Sequence, residues 1–165
     1  MAEGIVVVGY QGIGKSTLSD SKSNCIDLES GNFWIDGDRW TNWFIPYCNI
    51  AVDIASQGRI VFVSSHEVVR RQLRYGQYPK CVHIMCCVPS TNLREAWIYK
   101  LHERFNTSLL SKDYRAWKNA VMRFEENIKE IMDSGFPCCE LTSMDYNLSG
   151  ALQFFITEQG WNVSI

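Results

Sequence analysis

Several features are missing from this 165-residue chain, and each absence removes a class of protein. No apolar stretch approaches 18 residues, so nothing in the sequence is expected to span a membrane. No charged leader with a cleavage site opens it, so a cytoplasmic location is expected. Basic residues are not in excess. With 16 Lys and Arg against 18 Asp and Glu, the net charge is -2. No broad basic field exists to hold duplex nucleic acid. None of the seven cysteines has the Cys-x-x-Cys spacing of a structural zinc site. Their odd number does not close a disulfide framework. Neighbours Cys86–Cys87 and Cys138–Cys139 lie in apolar runs, where strand geometry points them to opposite faces. They therefore read as buried, reduced thiols. No repeat, linker or low-complexity segment divides the chain, so residues 1–165 are expected to form one domain.

The residues present suit a packed core: 46% are hydrophobic and 13% aromatic. Short β-branched runs at Gly4–Val8, Asn24–Leu28, Arg59–Val63, Cys81–Val88 and Cys138–Leu141 read as strands. Between them lie helical patterns at Lys15 to about Ser21, Trp40–Ser56, Ser65 to about Tyr75 and Leu148–Gln159. Pro46 predicts a kink or a late start in the second of these. Two longer patterns come after the fourth strand. Leu93, Trp97, Leu101 and Phe105 recur every four residues, with Asn92 and Glu95 spaced as a capping box. Tyr114, Trp117, Val121, Phe124, Ile128 and Ile131 form a second apolar stripe. Strands alternating with helices predict βαβ units and a parallel sheet.

Gly9-Tyr10-Gln11-Gly12-Ile13-Gly14-Lys15-Ser16, with Thr17 next, fits G-x-x-x-x-G-K-[ST]. It sits after a buried strand and before a helix, the setting that makes this pattern a phosphate loop. Its glycines let backbone N–H groups curl around phosphate oxygens. Lys15 reaches the β and γ phosphates, and the Ser16 hydroxyl ligates Mg²⁺. The set Gly9, Gln11, Gly12, Ile13, Gly14, Lys15, Ser16 and Thr17 is therefore the expected ATP cradle. A dinucleotide fingerprint fits less well, because the glycine order differs and Lys15 has no role there.

The kind of phosphate-loop protein is narrowed by two further absences. No N-K-x-D base-reading motif exists, and the third strand ends Val63-Ser64-Ser65-His66 with no acid. The metal-holding acid is then sought at Asp27, at the carboxyl end of the second strand, where open α/β sheets bind ligands. With Gly9–Thr17, Asp27-Leu28-Glu29-Ser30 and the basic helix Arg94–Arg104, the chain resembles the small P-loop kinases of the nucleoside monophosphate kinase and shikimate kinase group. In particular it looks like short kinase-like proteins of phages and prophages. The resemblance implies a three-layer α/β fold. Its five-stranded parallel sheet has order 2-3-1-4-5, with helices on both faces. It also implies an acceptor-binding insertion at about 29–57 and a helical lid at about 91–118. Shikimate kinases use an acid-x-acid pair on the second strand for metal and substrate, and Asp27 and Glu29 match that spacing.

Asp27 and Glu29 are accordingly candidates for holding Mg²⁺ and taking the acceptor proton. Lys100 and Arg104, four apart on one helical face with Arg94 to one side, are candidates for closing over ATP. Arg70 and Arg71 could hold an acceptor phosphate. Phe33, Trp34, Trp40 and Trp43, with Asn32, Asp36, Asp38 and Arg39, suit either a wall for a flat base or subdomain packing. His66 reads as a polar loop residue, His83 as a packed core histidine and His102 as exposed. The function expected is ATP- and Mg²⁺-dependent phosphoryl transfer to a nucleoside, nucleotide or related small acceptor, by a monomer or homodimer. The alternatives are a non-catalytic ATP- or GTP-binding regulator, an ATPase module of a larger assembly, and a kinase of a modified base in DNA.

Overall fold

The computed structural model describes residues 2–35, 38–39 and 41–165. Its centre is a five-stranded parallel sheet. We number its strands β1 (Gly4–Gly9), β2 (Cys25–Asp27), β3 (Ile60–Val63), β4 (Val82–Pro89) and β5 (Cys138–Leu141). Their spatial order is 2-3-1-4-5, as the resemblance implied. β1 lies in the middle, with Ile5 beside Ile60 on one flank and beside His83 on the other. Valines and isoleucines fill β1 and β3 because both faces of these strands are covered.

Among the described residues six α-helices complete the layers: α1 (Lys15–Ser21), α2 (Phe44–Ala55), α3 (Glu67–Tyr75), α4 (Arg94–Ser108), α5 (Ser111–Met132) and α6 (Leu148–Gln159). Pro46 lies in the first turn of α2, where its missing N–H costs nothing, so the helix starts late and is not kinked. α2 packs closely on the start of β1. A Cβ at Gly4 would stand 1.6 Å from the Ala55 carbonyl oxygen, so only glycine fits. A small antiparallel hairpin, Trp34–Ile35 with Asp38–Arg39, comes after a 3-10 turn at Ser30–Phe33. Among the described residues, no helix is long and apolar enough to cross a membrane.

Two expectations about the long helices are corrected. Ser90 caps the 3-10 turn Thr91–Leu93 that leads into α4, its hydroxyl accepting from the Asn92 N–H; α4 itself starts after Leu93 with no side-chain cap, so Asn92 and Glu95 form no capping box. In α5 the buried row is Asp113, Ala116 and Ala120, then Phe124, Ile128 and Ile131. Val121 and Tyr114 remain substantially exposed. Small alanines bring the first half of α5 close to the body. Tyr114 and Trp117 instead cover the seam with α4, packing on Phe105 at 5.3 and 6.2 Å. The α5 backbone leaves helical geometry at Arg123 (φ -144°, ψ 31°).

All seven cysteines are free thiols, five of them buried. Burial pushes the thiols of Cys48, Cys86 and Cys138 up to about 12, which keeps them protonated and unreactive. The melting temperature should therefore agree within about 1 °C with and without reductant, since a disulfide would contribute about 2–4 kcal/mol. A marked fall on adding dithiothreitol in a thermal scan would show a bridge.

Candidate active site

The carboxyl ends of β1, β2 and β3 open into one cleft of about 1420 Å³. A single small-molecule pocket occupies about 300–1,000 Å³, so there is room for two reactants. At its base the loop after β1 turns through two glycines at positive φ, Gly12 (88°) and Gly14 (104°), before α1 begins at Lys15. A side chain at either would be strained. A Cβ at Gly9 would meet Ile13 Cδ1 at 2.8 Å and Lys15 Cδ at 3.1 Å, so those side chains would have to shift. Gly9, Gln11, Gly12, Gly14, Lys15, Ser16 and Thr17 all line the cleft. Ile13 contributes only backbone, because its side chain is wholly buried in the core.

The loop's carbonyls are held from outside by residues distant in sequence. Trp97 Nε1 of α4 donates to the Gln11 carbonyl at 2.8 Å. The Tyr146 hydroxyl, from the segment before α6, donates to the Ile13 carbonyl at 2.7 Å. Lys100 Nζ donates to that same hydroxyl at 2.9 Å and lies 4.4 Å from the Trp97 ring centroid. Trp97 and Tyr146 are themselves stacked. With its carbonyls engaged outward, the loop is free to turn N–H groups inward. Burial raises the Tyr146 phenol to about 12, so it stays a neutral donor at working pH. Tyr146→Phe strands Lys100 and the Ile13 carbonyl together. It should cost about 1–3 kcal/mol of stability and weaken ATP binding, measurable by thermal melting and calorimetry. An unchanged melting temperature would remove the brace.

Opposite Lys15 stand the acids after β2. The strand ends at Asp27, so Glu29 lies in the next loop and not on the strand, where the resemblance to shikimate kinases would place both acids. Both still line the cleft. Burial lowers the Lys15 pKa, while Asp27 and then Glu29 oppose that shift. Burial raises the Asp27 carboxyl, opposed by Lys15. Beneath them the Tyr47 hydroxyl donates to the Leu28 carbonyl at 2.7 Å and accepts from Ser64 N–H at 2.9 Å, tying the ends of β2 and β3 together.

The α4 cations are more constrained than the helical face alone suggested. Arg104 lines the cleft, but its Nε is paired at 2.9 Å with Asp113, a carboxylate only 3% exposed that also accepts from the Ser108 hydroxyl. Lys100 serves as the loop's brace. Arg94 points away, donating to the Val121 carbonyl and to Glu95. Lys112 stands in the cleft close enough to act electrostatically on both Lys15 and Asp27. Asp113, Lys112, Trp97 and Tyr146 were not singled out for the site from sequence. Nothing in their local spacing tells that three separate segments converge on one cleft.

The remaining candidates divide. Arg70 reaches the cleft edge but ties α3 to α5, donating to the Ser65 and Glu130 carbonyls and the Ser134 hydroxyl. Arg71 lies in a separate shallow hollow. Phe33 and Trp43 are buried against Tyr47 and do not wall the cleft. Trp40 and Asp36 fall outside the described residues, as do the side chains of Asn32, Trp34, Asp38 and Arg39. His66 precedes α3, with its Nδ1 2.8 Å from the Ser64 hydroxyl. His83 is half-buried against Glu3 at 2.7 Å and stacked on Trp161. His102 is half-buried on Trp117, not fully exposed.

Among the described residues no three His, Cys, Asp or Glu side chains gather into a metal cage. The donors present are hard oxygens, Ser16 and Asp27, facing one phosphate-sized loop. That set fits Mg²⁺, which keeps several waters and binds through one or two carboxylates plus substrate phosphates.

No protein-family model and no curated protein matches the chain. Among solved structures, a shikimate kinase from Bacteroides thetaiotaomicron is similar over 94% of this chain and 97% of its own, with TM-score 0.53 and 13% identity. A gluconokinase from Sinorhizobium meliloti 1021 is similar over 92% of this chain and 87% of its own, with TM-score 0.47 and 14% identity. The fold is a three-layer α/β fold around a five-stranded parallel sheet, which the shikimate kinase structure shares. Within it, β1, the glycine-rich turn and α1 together place Lys15 at the base of the cleft.

Proposed function

We propose that this protein is an ATP- and Mg²⁺-dependent phosphotransferase acting on a small acceptor of the nucleoside or nucleotide kind. The observation that carries the reading is Lys15, at the head of the phosphate loop, facing the Asp27 carboxylate across a cleft large enough for two reactants. The loop amides and Lys15 hold the β and γ phosphates of ATP. Ser16 and Asp27 would hold Mg²⁺, which would supply positive charge to offset that of the phosphates. The acceptor oxygen bonds to the γ phosphorus while the bond from that phosphorus to the β–γ bridging oxygen breaks. ADP leaves with that electron pair. The acceptor proton passes to Asp27 or Glu29. Arg104, oriented by Asp113, and Lys112 stabilise the charge on the transferring group. Such chemistry is mostly positioning and electrostatics, which suits a cleft rich in fixed charges.

The test is transfer of label from γ-labelled ATP to a panel of nucleosides, nucleotides and sugars, with and without Mg²⁺. Metal-dependent labelling of any acceptor supports the reading. ATP binding with no transfer across the panel would favour a nucleotide-gated regulator.

A further inference from the structure

At least eight of the chain's 16 lysines and arginines line the cleft, against five of its 18 acids among the described residues. A protein of net charge -2 thus concentrates positive charge in one place. ATP binding accounts for part of this. Structural pairings take up most of the remaining cations. Arg104 is held by Asp113, Lys100 by Tyr146, and Arg123 by Glu126 and Glu130. Arg70 is spent on two backbone carbonyls and a hydroxyl. Lys15 belongs to the phosphate loop and Lys112 stands beside it. Lys22 sits past the far end of α1, by Cys25.

Arg115 is different. It lies in the second turn of α5, one turn after Lys112, and lines the cleft with no hydrogen bond or ion pair to any described residue. Asn119, one turn further on, and Asn127, beyond the break at Arg123, also line the cleft and are also without a partner among the described residues. The buried row Asp113, Ala116 and Ala120 fixes the helix so that this polar row faces the opening. Before the break at Arg123, Arg115 and Asn119 stand about 6 Å apart along the axis, at a rise of about 1.5 Å per residue.

We propose that this row of α5 is the acceptor's binding wall. Arg115 engages a phosphate or carboxylate oxyanion next to the reacting oxygen, and Asn119 and Asn127 bind the polar body behind it. A guanidinium is suited to such planar two-point contact, and an amide supplies both donor and acceptor. The proposal rests on the phosphotransferase reading and specifies its substrate class: an acceptor that is itself an anion. Phosphomonoesters and sugar acids share the oxyanion and differ in the atom that carries it, phosphorus or carbon.

The experiment uses matched probes with the intact chain. AMP, UMP and gluconate are compared with adenosine, uridine and glucose, by calorimetry in the presence of Mg²⁺ and a non-hydrolysable ATP analogue, and by label transfer from ATP. The expected result is binding of at least one anionic probe and at least tenfold weaker binding of its neutral counterpart. Arg115→Ala should weaken the anionic probe by about 10–100-fold, as loss of a charged hydrogen bond requires. It should leave ATP-analogue affinity and melting temperature unchanged. Arg115→Lys should recover part of the loss. Failure of every anionic probe to bind, or binding undiminished in Arg115→Ala, overturns the proposal. Anion binding lost in Arg115→Ala but unaccompanied by any transfer upholds this wall and fails the kinase reading alone. Transfer to neutral acceptors only fails this wall and upholds the kinase. A phosphate-selective or carboxylate-selective response separates the two sources.

Discussion

Lys15→Ala is expected to abolish phosphoryl transfer and weaken ATP binding while the protein stays folded. Losing a charge-assisted phosphate contact costs about 1.5–3 kcal/mol in the ground state, or about 10–150-fold in affinity. The transition state loses more, because negative charge grows where the ammonium sits, and turnover should fall by at least about 10²–10³-fold. Stability should hold for a separate reason. Burial lowers the Lys15 pKa, so the protonated group is disfavoured by folding at neutral pH, and removing it relieves the fold. Calorimetry with ATP, turnover and a thermal scan on one preparation check all three. Turnover equal to the parent would end the kinase reading.

Asp27→Asn tests the acid across the cleft. It keeps size and most hydrogen bonds but removes the charge. Turnover should fall on the order of 10²-fold or more, as for loss of one preorganised group. Metal-free ATP affinity should barely change. The stability effect has a definite sign. The folded-state carboxyl titrates above its ordinary value, mainly through burial, so its ionised form costs stability at neutral pH. The variant should melt higher at pH 7. That advantage should shrink as pH falls through the folded pKa and vanish below the unfolded value near about 3.9, where both proteins are neutral at this position. Turnover equal to the parent would move the metal-holding role to Glu29 or Glu67, the other acids beside the loop.

The sheet was readable in the sequence because its signals are local. Ile5 to Val8 and Ile60 to Val63 are unbroken apolar runs rich in β-branched residues, and the glycine-rich turn stands between a strand and a helix. The acid pair was readable by spacing, though its second member proved to sit in a loop. Convergence could not be read. Trp97 looked like one member of an apolar stripe, and its ring is indeed buried, yet its indole N–H is a strut for Gln11. Asp113 looked like an ordinary first-turn acid of a helix, and it is an inward anchor for Arg104. Burial pattern says that a side chain goes inward, but not which polar atom meets it there. The first half of α5 misled for a related reason. Alanines carry little hydrophobic signal, so the larger Tyr114, Trp117 and Val121 defined the wrong row.

The central position of β1 has a kinetic consequence. This strand pairs with no neighbour in sequence: Ile5 meets Ile60, and Gly4 meets Val82. The phosphate loop hangs from the end of β1, and its struts come from Trp97 and Tyr146, farther still along the chain. Closing loops of this length carries an entropic cost before any contact offsets it, so folding should be slow for the chain's size. The glycine-rich loop, the proposed nucleotide cradle, is therefore among the last parts to become ordered. During refolding, recovery of ATP binding should lag behind recovery of helical signal, and ATP should act mainly by slowing unfolding.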